Sequence, residues 1–233
     1  MTRGLRVVVV GALFFAFALP DSATAARRGS RARASAPRKV PNMPPGWAWP
    51  PTPAMQDEGA RCTAALDRAG VVWQPHQATR KIATPVVVPS MDFAGLKLSS
   101  SRRGPHPMDC HLALALATAL APALREVGVR ELVFSELHDY RTLARRRRVL
   151  SRHAVGLAID VVALVALDGT VLDVERDYRR GDTLRRAEAL VNASGAFRRT
   201  LSPGNDRRGH HDHFHIEART PTDRPTRVAT PIS

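Results

Sequence analysis

Cysteine and lysine are scarce in this chain, and long apolar runs are absent. There are two cysteines in 233 residues, Cys62 and Cys110, and no C-x-x-C pair. Cysteine-ligated zinc modules are therefore excluded by spacing. Two cysteines suit an oxidising compartment, where they can form one disulfide; two separate buried thiols are the alternative. Only three of the 35 basic residues are lysine (Lys39, Lys81 and Lys97), and the formal charge is +14. Such a charge invites a nucleic-acid reading. The arginine and alanine bias that produces it can equally reflect coding composition. The longest apolar run, VVVVGALFFAFAL, spans 13 residues, too few to cross a bilayer comfortably. No internal repeat is visible.

That short run sits in an arrangement with a purpose. MTRGLR precedes it with two arginines, and PDSATA follows it with Ala23 and Ala25 in an A-x-A pattern. Residues 1–25 read as a secretory signal peptide cleaved after Ala25, with an uncleaved N-terminal anchor as the alternative. No cysteine follows the run, so lipid attachment there is not expected. Signal removal leaves no transmembrane segment. An exported protein seldom meets nucleic acid as a specific partner. Its acidic partner is better sought in a membrane surface or a carboxylate-rich cell wall. The expected location is the periplasm or cell envelope, and the expected state is a monomer.

Residues 26–58 form an Arg/Pro-rich segment. Residues 27–39 carry six basic side chains and no acidic one, and residues 37–53 carry seven prolines. Such a stretch cannot bury a core and is expected to be a disordered linker. The folded domain is expected over 59–219, with a loose Thr/Pro-rich tail at 220–233. Within it, residues 60–69 read as a short helix and 86–98 as a strand pair or irregular segment. Asp109 caps a helix through Val127, with Leu112, Leu116, Leu120 and Leu124 along one side and Pro122 kinking or dividing it. VRELVF (129–134) and GLAIDVVALV (156–165) read as strands. Asp168-Gly169 predicts a type I′ hairpin turn into TVLDV. Thr183–Arg199 reads as a helix and 213–218 as a final strand. Helices mixed with hairpin-linked strands predict an α+β domain: a mostly antiparallel central sheet flanked by helices.

The chemistry concentrates in two blocks. In SRHAVGLAID, His153 precedes a strand that carries Asp160 among Gly156, Leu157, Ala158, Ile159, Val161 and Val162. A carboxylate in such company is costly to bury unless it is paired or bound to a metal. In GHHDHFHIE (209–217), His213 and His215 lie two apart on a strand candidate and so share a face. Two imidazoles and one carboxylate make a three-ligand zinc site with a position left open for water, whose pKa the ion lowers towards neutrality.

Ser151, His153, Gly156, Ala158 and Asp160 fit the pattern SxHxxGxAxD, followed late in the chain by HxH. Together these resemble the zinc peptidase group that includes D-Ala-D-Ala carboxypeptidases, lysostaphin-type endopeptidases and hedgehog-like domains. LSPGND..GHHDHFHIE (201–217) is similar to the extensin-like C-terminal domain family in particular, over roughly residues 60–218. The resemblance implies that His153, Asp160 and His215 hold Zn2+, with His213 beside it as base or hydrogen-bond donor. Carboxypeptidase relatives place a Glu three residues before the last ligand; this chain has Asp212 there, one methylene shorter, and the resemblance makes it the alternative to His213 as the base that moves the proton to the leaving amine. His210 matches another recurrent histidine. Tyr140-Arg141 is similar to a Tyr-Arg pair whose Arg contacts substrate or developing negative charge. Two departures stand out: fewer cysteines than the family usually carries, and a basic run from Arg145 to Arg148. The implied activity is hydrolysis of an amide bond in peptidoglycan peptides, as carboxypeptidase or endopeptidase. The alternative is a non-catalytic zinc-containing module that binds the wall or maintains the envelope.

Overall fold

The computed structural model describes residues 47–77, 81–143 and 146–223, backbone only at 143 and 146–149. The signal-peptide reading, residues 26–46 of the linker, the Arg145–Arg148 side chains and the tail beyond residue 223 lie outside that description. The first element is helix α1 (Pro53–Arg68). Its start corrects the linker boundary by six residues. Thr52 caps it, accepting the Met55 N–H at 3.3 Å, and Pro53 takes the first turn, where its missing N–H costs nothing. Met55, Gly59, Cys62 and Leu66 then face inward at helical spacing.

Five short strands follow: β1 (Gln74–Pro75), β2 (Pro85–Val87), β3 (Asp92–Phe93), β4 (Leu96–Ser99) and β5 (Met108–Asp109). β1, β2 and β5 make a small antiparallel sheet, and β3 and β4 form a hairpin. Ala94 and Gly95 close that hairpin with φ of 55° and 84°. Two left-handed residues are the signature of a type I′ turn. The turn expected at Asp168-Gly169 is of another kind. There Gly169 alone is left-handed, at φ 90°, and its N–H reaches back to the Ala166 carbonyl. This is a three-residue loop with glycine in the bulge position.

Asp109 caps the next helix as expected. The helix runs as α2 (Cys110–Ala115), a π turn (Leu116–Leu120) and α3 (Ala121–Glu126). The π turn answers Pro122: the Ala121 N–H bonds the Leu116 carbonyl five residues back, and the helix passes the proline without ending. Strands β6 (Val129–Glu136), β7 (Thr142–Leu143), β8 (Arg146–Leu150), β9 (Ala158–Ala166) and β10 (Val171–Asp173) come next. A one-turn helix α4 (Val174–Asp177), helix α5 (Thr183–Ala193) and strand β11 (Phe214–Glu217) complete the described elements. α5 stops six residues short of the expected Arg199, because Gly195 turns left-handed at φ 70°. Phe197 is still buried, but it bridges to Ala218 instead of extending the helix.

The central sheet has β9 in its middle. β6 lies antiparallel on one edge; β10 and β11 share the other edge end to end, β10 opposite Ala163–Val165 and β11 opposite Ala158–Val161. β4 adds parallel to β6, and β3 closes the far side. The fold is thus α+β with a mostly antiparallel sheet. One face carries Leu132, Phe134, Val161, Leu164, Phe214 and Ile216 against the leucines of α2 and α3 and against Ala187 and Val191 of α5. Each large apolar side chain so buried contributes roughly 1.5–3 kcal/mol.

The β6–β9 register is not regular. It shifts at Arg130, Val162 and Ser135. The last shift matters most. Without it Glu136 would stand opposite Ile159, on the apolar face; with it Glu136 stands opposite Asp160. A Cys62–Cys110 disulfide ties α1 to the first residue of α2 across 48 positions. In a chain-entropy account, closing a loop of that length is worth about 4 kcal/mol. A Cys62→Ala, Cys110→Ala chain is expected to lose stability on that scale in urea denaturation. A loss under about 1 kcal/mol would show the disulfide is not a main support.

Candidate metal centre

The face of the sheet turned away from α2, α3 and α5 carries the chemistry. Asp160 on β9 stands opposite His215 on β11 and opposite Glu136 on β6, so three polar residues form one row across three strands. Alternation along β11 sends Phe214 and Ile216 to the core and His215 and Glu217 to this face. His153 arrives from a 3-10 turn (Arg152–Val155) just before β9.

The SxHxxGxAxD block has a local reason at each position. Ser151 caps the turn, its Oγ accepting the His153 N–H at 3.3 Å. Gly156 ends it at φ 70°, and a Cβ there would sit 2.7 Å from the Asp109 backbone nitrogen. Ala158 is fully buried where β9 begins beside Glu217.

His153, Asp160 and His215 are buried, and their ligating atoms lie within 4.8 Å of one another. His153 Nε2 is 3.2 Å from His215 Nδ1 and 3.1 Å from Asp160 Oδ1; His215 Nδ1 is 2.7 Å from the same oxygen. The outer nitrogens are committed elsewhere. His153 Nδ1 lies 3.0 Å from the Leu137 carbonyl, which can only accept, so that nitrogen carries the proton. His215 Nε2 donates to Glu217 at 3.0 Å. Both rings are thereby fixed with one nitrogen aimed at Asp160, the arrangement found around metal-ligating histidines. This buried group could hold a metal ion.

Glu217, which holds His215 from behind, is a member of this arrangement that sequence reasoning missed. It is flanked by Arg152 at 3.5 Å and Arg198 at 3.0 Å. Arg152 is itself almost fully buried, and its Nη2 donates to Asp223 at 2.7 Å. Period-two spacing after His215 was the available signal for Glu217. Nothing local marked Arg152 or Arg198 as its partners, since the fold brings them in from two other segments.

The remaining expected residues fall around this group. His213 Nε2 is 3.7 Å from Asp160 Oδ1, and its Nδ1 is 2.7 Å from Asp212 Oδ1. Asp212, half exposed, is therefore positioned to orient His213. Arg141 is half exposed and reaches Glu136 at 3.1 Å, Asp139 at 3.3 Å and Asp160 at 3.8 Å. His210 stacks near both His213 and His215, at 5.0 and 5.3 Å between ring centres. It is held by Asp206 at 2.9 Å. The loop before it hangs on Glu188 of α5. That carboxylate accepts from Tyr178 Oη, Ser202 Oγ and Asn205 Nδ2 at 2.6–3.0 Å. Gly204 is small because the Tyr178 hydroxyl occupies the place of a Cβ. The LSPGND segment is thus a scaffold for His210.

The electrostatics follow from the geometry. Burial alone would raise the Asp160 carboxyl, but hydrogen bonds from His153 and His215 outweigh it and hold the group far below the usual range. Burial likewise opposes charge on His215. Asp160 and Glu217, one at each ring nitrogen, overcome it and raise the imidazole to about 9. Burial also opposes the Glu217 charge, and His215 with the two arginines brings that group down to about 2.

A metal ion and a proton would compete for His215 Nδ1. Apparent metal affinity is expected to climb with pH up to about 9 and then level off. Stability of the metal-free chain should move oppositely. A raised folded pKa stabilises fully below about 6.5, and that contribution is lost as pH rises towards 9. Thermal melts across this window, with and without metal, check both; parallel pH trends in the two states would contradict the competition.

A family model described as extensin-like protein C-terminus matches residues 60–227. No match was found among curated proteins or among solved structures.

Proposed function

The chain belongs to the extensin-like protein C-terminus family, and from that membership and the His153–Asp160–His215 group we propose that it is an exported zinc-dependent peptidase. Its proposed reaction is hydrolysis of an amide bond in the peptides of peptidoglycan. The observation that carries the proposal is the pair of committed outer nitrogens, which leave His153 Nε2 and His215 Nδ1 facing one carboxylate. Tetrahedral zinc with ligands at 2.0–2.1 Å sets them about 3.3 Å apart. The ligand atoms here are 2.7–3.2 Å apart, so a small outward adjustment accommodates the ion. Hard and borderline donors of this kind, two imidazoles and one carboxylate, suit zinc with one position left for water.

Zinc held by His153, Asp160 and His215 would supply a Lewis acid that activates water and polarises the scissile carbonyl. The chain's own residues divide the rest. His213 is the proton carrier: its Nε2 faces the group, and Asp212 fixes its Nδ1–H. Taking a proton at Nε2 and delivering it to the leaving amine is the role this orientation suits. Arg141 contributes a permanent positive charge beside Asp160, suited to developing negative charge on substrate. The apolar body of the sheet behind Asp160 keeps bulk water from the rear of the site.

Export is supported by the signal-like residues 1–25, and a wall substrate by the strongly basic chain, which a carboxylate-rich polymer would attract. One observation favours the second reading, a non-catalytic zinc-containing wall-binding module. Arg141 is already shared among three carboxylates, an arrangement that would equally suit a purely structural bridge.

Two variants separate these readings. His215→Ala should abolish both metal retention and release of muropeptide fragments from purified peptidoglycan. His213→Ala should retain metal and lose about a hundredfold or more in rate, the usual scale for a positioned acid–base group. Products are read by chromatography and mass spectrometry. Wall binding unchanged in His213→Ala, with no fragments from either chain, would establish the binding module instead.

A further inference from the structure

Beside the metal group lies a cleft that the proposed mechanism does not use. It measures about 180 Å³ and is lined by Arg102, Arg103, His106, Phe134, Glu136 and Leu137, among others. Two of these residues also contact or pair with the metal group. Leu137 gives its carbonyl to His153, and Glu136 stands directly opposite Asp160 in the sheet.

Glu136 forms the junction. One of its oxygens takes Arg102 at 3.3 Å and the other takes Arg141 at 3.1 Å. The carboxylate is only 13% exposed, whereas the Arg102 side chain is 65% exposed. Arg102 is thus anchored at one nitrogen, and its largely exposed side chain lines the cleft. Arg103 follows on the same loop, also exposed. His106 packs edge-on against Phe134 at 4.9 Å and pins that loop to the sheet.

Charge decides what such a cleft accepts. Two guanidinium groups, Arg102 and Arg103, line the cleft against a single carboxylate, Glu136, so the lining is cationic by itself. A planar guanidinium with exposed N–H groups is matched to a carboxylate.

We propose that this cleft is a carboxylate subsite, in which Arg102 and Arg103 hold an anionic group of the peptide whose amide bond lies at His153, Asp160 and His215. The inference rests on the peptidase reading above and adds the substrate class: an acidic peptide. The carboxylate can be the chain end or a side chain, and the experiment distinguishes them.

The probes are a fluorescein-labelled tetrapeptide with a free C-terminus and one side-chain carboxylate, and two singly amidated forms, one at each carboxylate. Binding is followed by fluorescence anisotropy to the zinc-loaded His213→Ala chain, which holds peptide without turnover. Amidating the carboxylate that occupies the cleft is expected to weaken binding about tenfold. Adding Arg102→Gln and Arg103→Gln should produce the same loss for the acid and none for that amide. Whichever amidation has the effect identifies the source.

Equal binding of all three peptides, equal weakening of acid and amide by the variants, or no binding of any peptide would overturn the subsite. Hydrolysis of peptidoglycan by the wild-type chain is measured alongside. Charge-selective binding by a chain that cleaves nothing removes the peptidase reading and keeps the subsite. Cleavage without charge selectivity does the reverse.

Discussion

A carboxylate buried at the middle of a sheet is the constraint around which this molecule is arranged. Asp160 occupies a strand whose neighbours are alanine, isoleucine and valine, where an unpartnered charge would cost several kcal/mol. It is tolerated because two imidazoles converge on one of its oxygens, at 2.7 and 3.1 Å. Each imidazole is then held from behind, one by a backbone carbonyl and one by Glu217. Glu217 in turn needs Arg152 and Arg198, and Arg152 needs Asp223. The demand for compensation passes outward from one oxygen through four layers to the surface. Metal binding and apo stability are consequently two uses of the same set of atoms.

The same arrangement shows what could be read from the residues alone. His153, Asp160 and His215 were legible because their chemistry conflicts with their surroundings: a charged residue in an apolar run, and histidines at strand spacing. The leucines of α2 and α3 were legible from periodicity, and Asp109 as their cap. What escaped was set by contacts between distant segments. The helix expected to reach Arg199 ends at Ala193 because a single glycine turns left-handed. The linker expected to run to residue 58 gives way at Thr52, where a cap followed by proline was present but outweighed by the proline density around it. Asp212 was read as a possible base by position. The structure adds its 2.7 Å contact with His213 Nδ1, which places it to orient that ring and which no sequence pattern reveals.

Pro122 and Asp168-Gly169 illustrate a different limit. Both signals were real, yet each admits more than one structural answer. The proline was absorbed by a π turn, and the glycine closes a three-residue loop in place of a two-residue one. The tight type I′ geometry appears instead at Ala94-Gly95, where alanine is an unfavoured occupant and no sequence rule would place it. Local propensity names the places where the chain must turn; packing chooses how.

The register shift at Ser135 has a consequence for how this family of sequences can vary. Side chains in a strand alternate with a period of two, so a length change of one residue exchanges the faces of everything beyond it. Between Phe134 and Leu137 both faces are occupied, by core on one side and by Glu136 on the other. Inserting one residue beside Ser135 would move Glu136 opposite Ile159, into the apolar layer, and shift the Leu137 carbonyl away from His153, whereas deleting Ser135 would remove the irregularity and leave Glu136 opposite Asp160. The length of β6 is therefore constrained in one direction: it can lose its bulged residue but cannot take another without turning Glu136 away from the site.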